Sequence, residues 1–162
     1  MKNLLIREID KDSDYTDIAY ISREAWKPIY DHRKTLMDRD IFASLYKDGH
    51  EHKSRSLEKW CRENSPNVRV AEKDGKVIGF VTWERANDET VELCNNAVSP
   101  AAHNQGVGSY LYQWFFEFAK KEGFKYCFVF TGNDPAHLPA RKAYEKNGFC
   151  DPVQNLRFFK KL

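Results

Sequence analysis

The hydrophobic pattern of the chain alternates between the periods of strands and helices. Leu4-Leu5-Ile6-Arg7-Glu8-Ile9 reads as a first strand, followed by a polar stretch, Asp10 to Asp14, able to cap a helix. Ile18, Ile21, Ala25 and Trp26 recur along that helix, and Pro28 is expected to interrupt it. Two further helical stretches, about Lys34 to Tyr46 and His52 to Glu63, carry Leu36, Ile41, Leu45, Leu57, Trp60 and Cys61 at roughly helical spacing. Asn64-Ser65-Pro66-Asn67 closes this region.

Beyond it the period shortens to that of strands. Val68-Arg69-Val70-Ala71-Glu72 and Val77 to Trp83 flank Lys73-Asp74-Gly75-Lys76, whose Asp-Gly pair signals a tight hairpin. Thr90 to Val98 supplies a third antiparallel strand. After it Pro100 to Gln105 form a loop, and Leu111, Trp114, Phe115, Phe118 and Ala119 mark one face of a long helix that Gly123 stops. Tyr126 to Phe130 reads as a buried strand, and a strand-helix-strand crossover of this length makes it parallel to the strand ending at Val98. A last helix is expected from near Pro139 to Gly148, and Phe149 to Lys160 is expected to close the sheet. The fold class is therefore α/β, a mixed and mostly antiparallel central sheet with helices on both faces, and 162 residues suit a single domain over 1–162.

Composition narrows the function classes. With 41% hydrophobic and 31% charged residues and no apolar run near the roughly 18 residues a span requires, a membrane role is not expected. The N-terminus turns charged at Arg7-Glu8, too soon for a signal peptide, so a cytoplasmic protein is expected. Cys61, Cys94, Cys127 and Cys150 are scattered singly, which favours reduced thiols over disulfides or zinc ligands. His50-Glu51-His52 has no further His or Cys nearby to complete a tetrahedral site, so no metal is expected. The net charge is only +2, with basic and acidic residues alternating, so no nucleic-acid partner is expected.

The strongest chemical signal is Val98-Ser-Pro-Ala-Ala-His-Asn-Gln-Gly106-Val107-Gly108, between a strand and a helix. Glycines there let backbone N–H groups close on an anion, and the helix dipole adds about half a positive charge at that end. A tight turn that merely packs helix on strand is the plain alternative. A dinucleotide-binding unit fits less well, because Gly106 and Gly108 come late in the chain, behind an antiparallel meander, and Leu111 occupies the third glycine position.

In full, this segment resembles motif A of the GNAT acetyltransferase superfamily, a V-x-P strand end, then Arg or Gln, two variable residues and G-x-G, with His103 where Arg or Gln is usual. Ala140-Arg-Lys-Ala-Tyr144-Glu-Lys-Asn-Gly148-Phe149 resembles the superfamily's second signature, A-x-x-x-Y-x-x-x-G-F, with His137 in place of the Asn often found three residues before Ala140. The likeness covers about Val68 to Phe149 and only the outline of residues 1–65.

The resemblance implies an N-acetyltransferase that moves an acetyl group from acetyl-CoA to a primary amine of a small molecule or peptide, by direct attack and without a metal. It implies that Asn96, Ala97 and Val98 run beside the pantetheine arm, in the gap between two splayed parallel strands. His103, Asn104, Gln105, Gly106, Val107, Gly108 and Ser109 would hold the diphosphate, with Asn133, His137 and Lys142 as further cofactor contacts. The Val98 N–H could polarise the thioester carbonyl. Glu92 occupies the place of a general base and shares a face with Cys94 and Asn96 by the two-residue period; an exposed glutamate is the alternative. Tyr144 occupies the place of the proton donor to the departing thiolate, against a core tyrosine.

Arg141 and Lys142 could reach phosphates or merely solvate the last helix. The acceptor pocket is expected to involve Trp26, Tyr30, Phe42 and Phe158, with Asp31, Asp38 and Asp40 nearby to suit a cationic amine. An acyl-CoA-binding or sensing module without turnover is the competing function, and the assembly expected is a monomer or homodimer.

Overall fold

A computed structural model describes residues 3–162. Five strands, β1 (Leu4–Arg7), β2 (Val68–Lys73), β3 (Lys76–Arg85), β4 (Thr90–Val98) and β5 (Tyr126–Phe128), form one sheet in the order β1-β2-β3-β4-β5. The first four pair antiparallel and β4 pairs β5 in parallel, as the crossover between them requires.

Helices α1 (Asp12–Leu36), α2 (Arg39–Tyr46) and α3 (His50–Glu63) precede β2, while α4 (Val107–Lys121) makes the crossover and α5 (Leu138–Lys146) follows β5. Each face of the sheet carries its own core. Ile18, Ile21, Leu57 and Cys61 of α1 and α3 pack on Val68, Val70, Val77 and Phe80. On the other face Leu111, Tyr112, Phe115 and Ala119 of α4 pack on Val81, Trp83, Val91 and Leu93. β3 reads as a near-continuous buried run because both its faces are covered. Arg7 ties β1 to the start of α1 through two bonds to the buried Asp14 carboxylate, at 2.7 and 3.0 Å. Among the described residues no helix is long and apolar enough to cross a membrane.

Several sequence expectations change. α1 runs on to Leu36 and α2 begins at Arg39, where one helical stretch over about Lys34 to Tyr46 was expected. Pro28 lies inside α1, where an interruption was expected: its ring is on the exposed side of the helix, so the carbonyl it leaves unbonded can turn to water. β1 ends at Arg7 and β5 at Phe128, each two residues short of the strand expected, and β5, expected to be buried, is an edge strand with Tyr126 63% exposed. Phe149 to Lys160 forms no strand. Asp151 sits at φ +56°, Pro152 lacks a donor, and the edge it would join is only three residues long. Phe149 instead packs on Tyr144 and Phe116, and Lys161 reaches Asp38 and Asp40 at 3.1 and 2.6 Å.

Candidate active site

The site is built where β4 outruns its parallel neighbour. The β4–β5 ladder pairs Thr90, Val91 and Glu92 with Tyr126, Cys127 and Phe128, and stops there, although β4 continues to Val98. At that end the Ser99 N–H donates to the Ile78 carbonyl of β3 at 2.8 Å. Val98, one residue earlier, therefore turns its backbone groups away from β3, and Asn96 does the same by the two-residue period. Both face the opening beyond Glu92 and Phe128. His103 Nε2 lies 3.0 Å from the Val98 carbonyl.

A β-bulge decides which side chains meet. Trp83 pairs with Leu93 but Thr82 pairs with Asn95, so Cys94 is an extra residue in β4. The bulge breaks the alternation that placed Glu92, Cys94 and Asn96 on one face. Glu92 faces α3, lining a cavity of about 370 Å³ with Lys53, Trp60, Glu84, Cys94 and Asn95. Asn96 faces α4 instead: the Tyr112 hydroxyl donates to its Oδ1 at 2.8 Å, and its Nδ2 donates to the Tyr144 hydroxyl oxygen at 3.2 Å.

Within the cavity, Glu92 is half-buried and stands directly across the ladder from Glu84. Burial first, and then the Glu84 charge, raise its carboxyl above the usual glutamate range. Glu84 accepts from the Trp60 indole N–H at 3.2 Å. Lys53 bonds Asn95 Oδ1 at 2.8 Å and lies 5.2 Å from the centre of the Trp26 ring, and burial pushes its ammonium below the ordinary lysine value. Burial, followed by the charges of Glu92 and Glu84, pushes the Cys94 thiol up to about 12, so it stays protonated at neutral pH.

On the α4 side the Tyr144 ring packs edge-on against Tyr112 and Phe149. Burial raises the Tyr144 phenol, and the Asn96 amide bond draws it partly back. Because Asn96 is the donor in that bond, the Tyr144 proton is left to point elsewhere.

The glycine loop ends in a bare helix start. Gly106 caps α4 at φ +79°, a left-handed conformation that suits glycine, and Asn104 is also left-handed at φ +60°. No side chain caps α4 and its first turn has no acidic residue, which leaves the N–H groups of Val107, Gly108 and Ser109 as unpaired donors. Gln105 is tied to Lys73 and to the Ala101 carbonyl, at 3.2 and 3.0 Å, so the loop presents backbone to an incoming anion. An uncapped dipole end beside an open strand edge fits an anion carrying an extended amide-containing arm.

The downstream residues have other engagements. His137 Nδ1 meets Asp134 Oδ2 at 2.7 Å, and Asn133 reaches the Gln154 side chain at 3.3 Å. Arg141, which could have been a solvated residue of the last helix, donates to the carbonyls of Gly132 and Asp134 at 2.7 and 2.8 Å and so holds the loop before α5. Lys142 is exposed. Of the residues expected to shape an acceptor pocket, Tyr30 and Phe42 pack on Tyr46, Phe158 is exposed, and Trp26 reaches the cavity through Lys53. Asp31 pairs with Lys27, and Asp38 and Asp40 with Lys161. Sequence reasoning did not single out Lys53, Glu84 or Tyr112. Glu84 was within reach, since an opposed position on the neighbouring strand follows from hairpin register, but the bulge hides that register.

The sequence matches the acetyltransferase (GNAT) family over residues 26–149. The fold is similar to that of the PaiA N-acetyltransferase from Thermoplasma acidophilum in complex with coenzyme A, with a TM-score of 0.69, 19% identity, and coverage of 94% of this chain and 92% of that one. An aminoglycoside acetyltransferase from an uncultured soil metagenomic sample, in complex with sisomicin, gives a TM-score of 0.63 at 17% identity, covering 99% of this chain and 97% of that one. A GNAT family acetyltransferase from Elizabethkingia anophelis with acetyl-CoA bound gives 0.61 at 19% identity, covering 94% and 80%. No curated protein matches the sequence.

Proposed function

Because the chain belongs to the acetyltransferase (GNAT) family and is therefore an acyltransferase, we propose that it carries the acetyl group of acetyl-CoA to a primary amine of a small molecule or peptide by direct attack. The observation that carries this reading is the opening beyond Glu92 and Phe128, with a carboxylate on one face of β4 and a phenol on the other. A diphosphate would lie on the N–H groups of Val107, Gly108 and Ser109 at the start of α4. The arm would follow the outward-facing backbone of Val98 and Asn96, and bound acetyl-CoA would supply an activated thioester.

An acceptor amine with a pKa near that of lysine, about 10.4, arrives protonated and must lose its proton before it can attack. Glu92 takes that proton inside the cavity, and its raised pKa brings it closer to the task. Glu84 and Glu92 together favour a cationic amine at this entrance, while Trp60 and Leu57 offer apolar wall. The Val98 N–H polarises the carbonyl under attack, an effect worth roughly 3 kcal/mol in acyl transfer. Tyr144 gives its free proton to the departing thiolate. The reaction is assigned to one domain spanning 1–162, in the cytoplasm, where unpaired cysteines remain reduced.

The reading is tested by incubating the protein with acetyl-CoA and a panel of primary amines while following thiol release, with a parallel melting experiment. Acetyl-CoA raises Tm and NAD and ATP do not, since a ligand bound only to the folded state stabilises it by mass action. A Tm shift with no turnover on any amine would make the protein a binding module; no shift at all would reduce the glycine loop to a structural turn.

A second result is expected at Tyr144. Tyr144→Phe removes one hydroxyl and keeps the ring against Tyr112 and Phe149. The maximal rate falls at least about tenfold while acetyl-CoA affinity hardly moves, because the bond to the thiolate forms mainly in the transition state, and Tm falls modestly because Asn96 Nδ2 loses its acceptor. A packing role would show the same stability loss, about 1 kcal/mol, with turnover intact.

A further inference from the structure

We propose that Tyr112 is a positioning residue that holds the Asn96 amide in the one orientation leaving the Tyr144 proton free for the departing thiol. The inference rests on the reading of Tyr144 as proton donor and adds to it a residue that touches neither substrate.

A phenol has one proton to give, and an Asn side chain has one carbonyl oxygen and one NH2 group. Tyr112 is almost fully buried on α4, at 5% exposure, and its hydroxyl donates to Asn96 Oδ1 at 2.8 Å. With its oxygen so engaged, Asn96 can turn only its NH2 toward Tyr144, and Nδ2 donates to the Tyr144 oxygen at 3.2 Å. Tyr144 is thus an acceptor within the protein, and its own O–H remains unspent. If the amide were reversed, Nδ2 would donate to the Tyr112 oxygen and Oδ1 would accept the Tyr144 proton, tying it up when the leaving group needed it. The buried Tyr112 proton would then lose Oδ1, its acceptor among the described residues, and that cost favours the observed orientation.

The local structure supports this division of labour. The bulge at Cys94 places Asn96 on the α4 face, opposite Val81, so that it lies between two tyrosines from different helices. The same network reaches the strand whose backbone faces the opening. Tyr112 and Tyr144 also touch directly through their rings, with centroids 6.0 Å apart and edge-on, which fixes the distance that the amide spans. Neither the Asp-Gly hairpin nor the two family-like motifs includes Tyr112, and ordinary core packing would be served by Phe or Leu at this position.

The test compares Tyr112→Phe, Tyr144→Phe and the double variant in the intact chain, measuring kcat, KM for acetyl-CoA and Tm. Tyr112→Phe frees the amide to reverse, so kcat falls roughly tenfold, part of the usual worth of a proton donor, with KM for acetyl-CoA unchanged. In the Tyr144→Phe background the same substitution has no further effect on kcat, because residues acting through one group do not add. With an acyl donor whose leaving thiol is more acidic, the Tyr112→Phe and Tyr144→Phe deficits shrink together. Asn96→Asp gives a second variant with acceptors only, which binds both phenol protons and slows the reaction as Tyr144→Phe does.

Multiplicative losses in the double variant would make Tyr112 a packing residue and overturn the proposal while leaving Tyr144 as the donor. A slow Tyr144→Phe beside a fully active Tyr112→Phe would do the same. A fully active Tyr144→Phe would remove the proton-donor reading itself, and the role of Tyr112 with it.

Discussion

Glu92→Gln lowers kcat by about 100-fold or more at pH 7 and leaves the affinity for acetyl-CoA essentially unchanged, the usual worth of a positioned base. The amide keeps the size and hydrogen-bonding capacity of the carboxyl but cannot accept the ammonium proton, so binding survives and chemistry does not. Raising the pH partly restores the rate by supplying neutral amine from solution. In the wild-type protein the reactive form is the ionised carboxylate, so the rate falls as pH drops through the Glu92 pKa. Burial and Glu84 hold that pKa above the ordinary glutamate value, so the acid limb lies at higher pH than it would for a solvated glutamate. Glu84→Gln removes the like charge directly across the ladder and moves the limb to lower pH. Rate against pH for the three proteins decides the matter. A wild-type rate at pH 7 for Glu92→Gln would assign deprotonation to another group or to water.

The sequence pattern foreshadowed this geometry unevenly, for physical reasons. The Asp-Gly hairpin, the parallel crossover through α4 and the bare glycine-rich helix start are each written in one contiguous stretch of chain, and the sheet order follows from them. The bulge at Cys94 is not local. It depends on how β4 accommodates both β3 and the packing of Trp83 and Leu93 beneath α4, and nothing between Thr90 and Val98 announces an extra residue. A period-two reading therefore placed Glu92 and Asn96 on the same face, whereas the sheet separates them and puts each in a different chemical setting. The cavity residues were hidden for a related reason: Lys53 and Trp60 come from α3, far from β4 in sequence, and only the packing of α3 across the sheet brings them to Glu92. Pro28 misled in the opposite direction, since a proline on a solvent-facing helix surface loses one hydrogen bond without ending the helix. The final segment misled because its apolar residues suggested pairing, while Asp151 and Pro152 and the short β5 edge give it nowhere to pair.

Gly106→Glu abolishes the stabilisation by acetyl-CoA without unfolding the protein. Two effects on the free protein oppose each other. Gly106 is left-handed, at φ +79°, so any side chain there costs about 1 kcal/mol in backbone strain. A carboxylate at the N-terminus of α4, which has neither a side-chain cap nor an acidic first turn, recovers about 0.3–1 kcal/mol by meeting the helix dipole. Tm without ligand therefore changes little. The bound state offers no such offset, because the new carboxylate takes the N–H groups of Val107, Gly108 and Ser109 that a diphosphate would use, and repels its charge. At a concentration 100 times its Kd, acetyl-CoA stabilises a protein by about 2.7 kcal/mol, and the variant loses all of that shift. Gly106→Asn separates the two contributions, since Asn tolerates the left-handed conformation and carries no charge; it keeps part of the shift. Full retention of the shift by Gly106→Glu would place the diphosphate away from the start of α4, and equal loss in both variants would trace the effect to the backbone rather than to charge.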